Sequence, residues 1–202
     1  MFHAKWMLGV ASWCLLSLGA VAQVRTVTLG ITTHCPYGVG GCWAEIRNGL
    51  NLPGAIEGLP KRPDTTTQTC DLYMRDTWVP DPGLFARNFT NMNVGVDVRG
   101  VEAVVDGRLE ADGTNLLLRV NGSGALLRLA PLRQKVQWDV KRKAPERPTR
   151  SEKKAFAKLT SEAGNGHGQV RVVGPLVADR SVSPNRLSIE VRKFEKLKQA
   201  QL

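Results

Sequence analysis

The chain has 202 residues, 28 of them basic and 18 acidic, for a formal net charge of +10. The charge is uneven: residues 23–130 carry 10 basic and 11 acidic side chains, whereas residues 131–202 carry 17 and 7. Such asymmetry marks either an anionic partner or a solvated basic surface. Beyond the N-terminal stretch no apolar run is long enough to span a membrane, which excludes a transmembrane helix as an expected element.

Residues 1–22 read as an export signal. Lys5 gives a basic start, residues 6–18 are mostly apolar, and Ala20-Val21-Ala22 is a small-x-small cleavage site. Cleavage after Ala22 predicts a periplasmic or secreted protein that retains Cys35, Cys42 and Cys70. In an oxidising compartment any pair of these is a disulfide candidate, and the odd count leaves one thiol over.

Val27, Leu29 and Ile31 alternate as a strand that runs into His34-Cys35. A Gly-rich insert, Pro36-Tyr37-Gly38-Val39-Gly40-Gly41, leads to Cys42, which opens an amphipathic helix with Trp43, Ile46 and Leu50 on one face. After Asn51-Leu52-Pro53-Gly54 a second apolar stretch follows with Ala55, Ile56 and Leu59. Cys70, Leu72 and Met74 share a face of a third strand over residues 68–75. Asp81-Pro82 is a helix start, with a capping acid and a proline in the first turn. Leu84, Phe85, Phe89 and Met92 form that helix's apolar face, and Val94, Val96 and Val98 begin another strand.

The order strand, helix, strand, strand, helix, strand is the ferredoxin-like βαββαβ pattern. Residues 25–98 also resemble the heavy-metal-associated domain of copper chaperones and metal-pumping ATPases. The matching positions are Thr33-His34-Cys35, Cys42, Ile46, Leu50 and Leu52-Pro53-Gly54-Ala55. Six residues separate the two cysteines where that family has two, and Thr33 stands where the family has methionine. The resemblance implies a soft-metal site, most simply Cu(I), on Cys35 and Cys42 with His34 as a third ligand. It further implies a metal ion or metal-donor protein as partner. The residues leave two alternatives open: a Cys35–Cys42 disulfide, for which the glycines allow closure, or unpaired thiols. If the first and third strands lie side by side and parallel, Cys70 stands on the order of 15 Å from Cys35. It is expected as a small buried hydrophobe.

From Arg99 the pattern changes. Residues 101–110 alternate, Ala111-Asp112-Gly113 turns, Leu116 to Val120 returns, and Asn121-Gly122-Ser123-Gly124 precedes a third strand over 125–132. A basic, proline-containing stretch at 141–150 leads to a helix over 151–163. Residues 169–177 and 186–194 read as two more strands, with His167 in the Gly-rich turn before them. Three strands, a helix and two strands is the order of an OB-like five-stranded barrel.

The expected fold is therefore α+β, with a ferredoxin-like unit at 23–99 followed by an OB-like barrel with one helix and a basic tail at 100–202. The barrel's function class would be binding of an anionic polymer, with Trp138 beside Lys141, Arg142 and Lys143 as its one aromatic platform. No P-loop, G-x-S-x-G elbow or dinucleotide fingerprint is present, and no carboxylate pair can be placed for acid–base work. The chain reads as a binding protein rather than an enzyme, with thiol-disulfide redox activity as a third class against which the long cysteine spacing and the missing C-x-x-C argue. Soft-metal handling at Cys35 and Cys42 is the leading function. Its competitor is a disulfide-stapled module whose basic barrel holds an anionic partner.

Overall fold

The computed structural model describes residues 24–52, 56–58, 62–75, 79–92, 95–163, 168–179 and 186–197. The export signal, Pro53-Gly54-Ala55 and His167 lie outside the described residues. No helix among the described residues is long and apolar enough to cross a membrane.

Strand β1 (Val24–Thr33) is the centre of the first half. Its alternate residues Val27, Leu29 and Ile31 are fully buried, as the period of two requires. A single helical turn, α1 (Gly38–Gly41), and helix α2 (Trp43–Leu50) follow, with Trp43, Ile46, Gly49 and Leu50 turned inward. A short β2 (Ile56–Gly58) and β3 (Thr69–Met74) complete the first crossover. Helix α3 (Pro82–Asn91) starts where the Asp-Pro signal places it, and the Asp81 carboxylate accepts a hydrogen bond from Gly83 N at 2.9 Å. Phe85 and Phe89 of α3 are completely buried, each contributing roughly 1.5–3 kcal/mol by leaving water. Helices α2 and α3 meet closely because Gly49 has no side chain: a Cβ there would lie 2.5 Å from the Phe89 ring.

Strand β4 (Val96–Asp112) is 17 residues long and continues unbroken through Gly100, with a register shift against β1 at Arg99. Its first part pairs with β1 and its second part belongs to a barrel, so one strand serves both halves. β5 (Asn115–Val120) and β6 (Leu126–Pro131) follow as antiparallel neighbours. The basic connection after β6 contains an unexpected two-stranded ribbon, β7 (Trp138–Asp139) with β8 (Ala144–Pro145). Helix α4 (Arg150–Ala163), β9 (Gln169–Asp179), β10 (Arg186–Val191) and β11 (Lys193–Lys196) end the described chain.

The nine-stranded sheet has the order β11-β9-β10-β6-β5-β4-β1-β3-β2, with a further β9–β4 pairing. That pairing, Val101 to Arg108 against Leu176 to Gln169, closes β4-β5-β6-β10-β9 into a five-stranded barrel. Among the described strand pairs only β6 and β10 run parallel, because α4 carries the chain across before β9. The barrel interior is apolar, with Val101, Val105, Leu109, Leu118, Leu127, Val172 and Ile189 among its buried residues. These share one continuous core with Val27, Leu72 and Phe85 of the first half.

Two expectations change in detail. β1 and β3 are adjacent but antiparallel, with Leu29 opposite Cys70, because the β2–β3 reversal turns β3 against β1. The final strand is also divided at Arg192, where the chain leaves β10 and continues as β11 against the other half of β9.

Candidate functional site

The cysteine insert is a folded turn rather than a loose loop. β1 ends at Thr33, whose hydroxyl accepts from Cys35 N at 3.1 Å. Gly38 N then donates to Cys35 O at 3.0 Å, and Gly38 takes φ +69°, the left-handed conformation that glycine adopts without penalty. Val39 is buried and anchors the turn of α1. Cys42 N donates to Gly38 O at 3.2 Å, returning Cys42 to the N-cap of α2. The Cα atoms of Cys35 and Cys42 are 6.5 Å apart and the two sulfurs are joined as a disulfide.

In that form the pair offers no thiolate to a soft metal. The His34 Nε2 atom lies 2.8 Å from the Asp97 carboxylate on the exposed surface. The donor set implied by the resemblance is thus engaged elsewhere: two sulfurs in a bond, one imidazole on a carboxylate. Among the described residues no group of three or more His, Cys, Asp or Glu side chains is arranged to hold a metal. Cys70 stands apart, paired with Leu29 six residues back along β1 from Cys35 and 2% exposed. Burial, with the nearby Asp71 charge, pushes its thiol up to about 12, so it stays protonated.

The charged residues of the second half divide into two sets. The first is internal. The Arg192 Nε donates to Glu102 Oε2 at 2.7 Å and its Nη2 to Glu102 Oε1, while Nη1 reaches Glu152 at 3.2 Å. Lys135 bonds Glu146 at 2.6 Å and lies 3.8 Å from Glu152. Glu102 and Glu152 are almost fully buried. Glu152 also closes a capping box on α4: Thr149 N donates to its carboxylate at 2.8 Å and Thr149 Oγ1 accepts from Glu152 N at 3.3 Å. Burial would raise the Glu152 carboxyl, but the Thr149 N–H, Arg192 and Lys135 together hold it below its ordinary value. The expected helix start at 151 overlooked the Thr149-x-x-Glu152 spacing, a local capping-box signal; the Glu102–Arg192 pair, 90 residues apart, has no local signal.

The second internal fixture is Arg99. It donates to Ile31 O, to Thr32 Oγ1 at 2.7 Å, to Gln68 O at 2.9 Å and to Val136 O at 3.2 Å. Its guanidinium lies 4.8 Å from the centre of the Trp138 ring, a cation–π contact. Half-buried among carbonyls, Arg99 is pushed down by desolvation to about 10. Trp138 is therefore half-covered structural packing, not the open aromatic platform expected beside Lys141, Arg142 and Lys143.

The outward set is cationic. Arg108, Arg119 and Arg128 stand exposed on β4, β5 and β6, alternating with buried Leu109, Leu118 and Leu127. Arg108 is directly opposite Arg119 across the β4–β5 ladder, and Arg128 is opposite Leu117 on the other side of β5. Like charges directly opposite on a sheet are destabilising. Glu110 relieves one of them through a two-pronged bond to Arg119 at 2.5 and 2.8 Å. By contrast, Asp139, Glu146, Glu152, Glu162, Glu190 and Glu195 of residues 131–202 each meet a cation.

No protein-family model, curated protein or solved structure matches the chain.

Proposed function

We propose that this protein is a non-enzymatic binding module in which a disulfide-stapled sheet unit supports a barrel that holds anionic polymer by charge. The observation that carries the reading is the row of outward arginines, Arg108, Arg119 and Arg128, on three adjacent barrel strands. A ladder that places Arg108 opposite Arg119 gives up stability, which favours a ligand-facing role for that face. The strand order β4-β5-β6-β10-β9, its parallel β6–β10 pair and the placement of α4 support an OB-like reading. In such barrels this is the face that binds extended chains. The order β4-β1-β3-β2, with helices in both crossovers, supports a ferredoxin-like reading of the first half. The disulfide supports an exported location.

Charge recognition is favoured over base stacking. Trp138 lies under Arg99, and Phe156 and Phe194 pack against the core, so none of the three is an open platform for a base. The soft-metal reading needs Cys35 and Cys42 reduced and takes second place.

The test is anisotropy of a labelled heparin oligosaccharide titrated with the oxidised protein over a range of salt. Binding should weaken linearly in log–log form as salt rises, as counter-ion release requires. Arg108→Glu with Arg128→Glu should weaken it at least about tenfold and flatten the slope, whereas Cys42→Ser should leave it intact. Binding that ignores salt and the arginines refutes the reading. Cu(I) titration of the same protein, with and without reductant, separates the metal alternative.

A further inference from the structure

A groove of about 490 Å³ lies between α4 and the last strand. Its helical wall is Ser151, Ala155 and Lys158, at i, i+4 and i+7 on one face of α4. Its other wall is Arg192, Lys193 and Phe194 at the start of β11. The groove exists because β6 ends at Pro131, opposite Val191. Beyond that point β11 keeps β9 on one side and, among the described residues, has no strand on the other.

The register defines what the open edge offers. Leu197 N donates to Gln169 O at 2.9 Å, and β11 pairs residue by residue with Val173 to Val170. In an antiparallel ladder the bonded residues alternate, which leaves the N–H and C=O of Phe194 and Lys196 directed to the open side. An unpaired strand edge is a template for an added strand. The four residues of β11 span about 13 Å, enough for four residues of an extended peptide.

The charge of the groove selects the peptide. Arg192 is committed to Glu102 and Glu152 at its floor. Among the described residues Lys158 and Lys193, on opposite walls, form no ion pair, and both are exposed. Ala155 and Phe194 give an apolar lining between them. Successive side chains of an incoming strand point to opposite walls, so one with carboxylates at adjacent positions, interrupted by small apolar residues, meets Lys158 and Lys193 together.

We propose that this groove binds an acidic extended peptide, which adds as a strand to the free edge of β11 beneath α4. This interaction is separate from the arginine face and would persist were the polymer reading wrong.

The probe is a fluorescein-labelled hexapeptide, Glu-Glu-Val-Val-Glu-Glu, titrated against the oxidised full chain at low salt. Saturable binding is expected, weakened at least about tenfold by Lys158→Glu with Lys193→Glu, the loss of charge-assisted contacts. A second peptide of the same sequence, N-methylated on alternate residues along one edge, keeps every charge but cannot extend the ladder. It should bind at least about tenfold more weakly in one of its two methylation registers. No saturable binding overturns the proposal. Equal affinity for the N-methylated peptides in both registers overturns it too, since ion pairing alone would then account for binding. An unchanged circular-dichroism spectrum and urea midpoint in the Lys158/Lys193 variant verify folding.

Discussion

Arg192 is the most demanding test of how the second half is held together. Replacing it by Met keeps most of the side-chain volume but leaves Glu102 and Glu152 buried, 3% and 6% exposed, with Lys135 as the nearest remaining cation to Glu152 at 3.8 Å. Breaking a buried ion pair from one side costs about 3–5 kcal/mol, because the surviving charge is left in low dielectric. Two carboxylates lose Arg192 at once, so the upper part of that range applies. With a urea m value near 2 kcal/mol/M the unfolding midpoint should fall by about 2 M. Glu102→Gln in the same chain should restore a substantial part of the loss, since it removes the more buried of the two orphaned charges. Acid behaviour gives an independent check. Glu152 is held below its ordinary 4.5 in the folded state, so its contribution is complete above about pH 4.5 and is lost as pH falls through the folded value. Arg192→Met removes one of the partners that hold Glu152 low, so acidification should cost the variant less stability than it costs the wild type. Urea melts at several pH values measure both effects. A midpoint change equivalent to under about 1 kcal/mol, within the range of exposed ion pairs, would refute the idea that this network is a buried structural unit.

Three further outcomes follow from the fold. Cys35→Ser with Cys42→Ser opens a loop of separation 7; the chain-entropy relation gives about 2.5 kcal/mol, expected as a melting-temperature drop of roughly 5–10 °C. Gly174→Ala on β9 places a Cβ 1.7 Å from the Glu190 carbonyl oxygen. Backbone on both sides cannot move away cheaply, so circular dichroism should show a barrel that melts far earlier, while Gly168→Ala, which meets nothing within 4 Å, changes little. Arg99→Lys keeps the charge but loses the planar fork that reaches several carbonyls at once. It should lower the urea midpoint by about 2 kcal/mol equivalent, and an unchanged midpoint would make Arg99 a bystander.

Local signals carried much of the fold. The Asp81-Pro82 start with Phe85 and Phe89, the alternation of Leu116, Leu118 and Val120, and the turn after β5 all appear where propensity and period place them. Strand count and helix position were enough to anticipate a five-stranded barrel. The failures have a common cause in long-range contact. The insert between the cysteines reads as loose because it has three glycines, but burial of Val39 folds it into a turn. The division of the last strand at Arg192 depends on Glu102, 90 residues earlier in the chain. The β7–β8 ribbon depends on Arg99 reaching Trp138 and Val136. No window of sequence contains both partners of these contacts, so periodicity has nothing to report.

The same contacts bear on function by elimination. Acidic residues and aromatics are the scarcer chemical resources of this chain beside 28 basic residues. Among the described residues structure takes up several of both: Glu102, Glu146 and Glu152 lock the network around Arg192 and Lys135, Trp138 covers Arg99, and Trp43 is buried in α2. Cys35 and Cys42 are joined as a disulfide, and His34 lies against Asp97. What remains on the barrel surface is cation, arranged by the period of two into a row on β4, β5 and β6. A surface built that way can recognise charge and chain shape but carries little to read a base or polarise a bond. That is the physical ground for the proposal that this face holds anionic polymer with an affinity governed by salt.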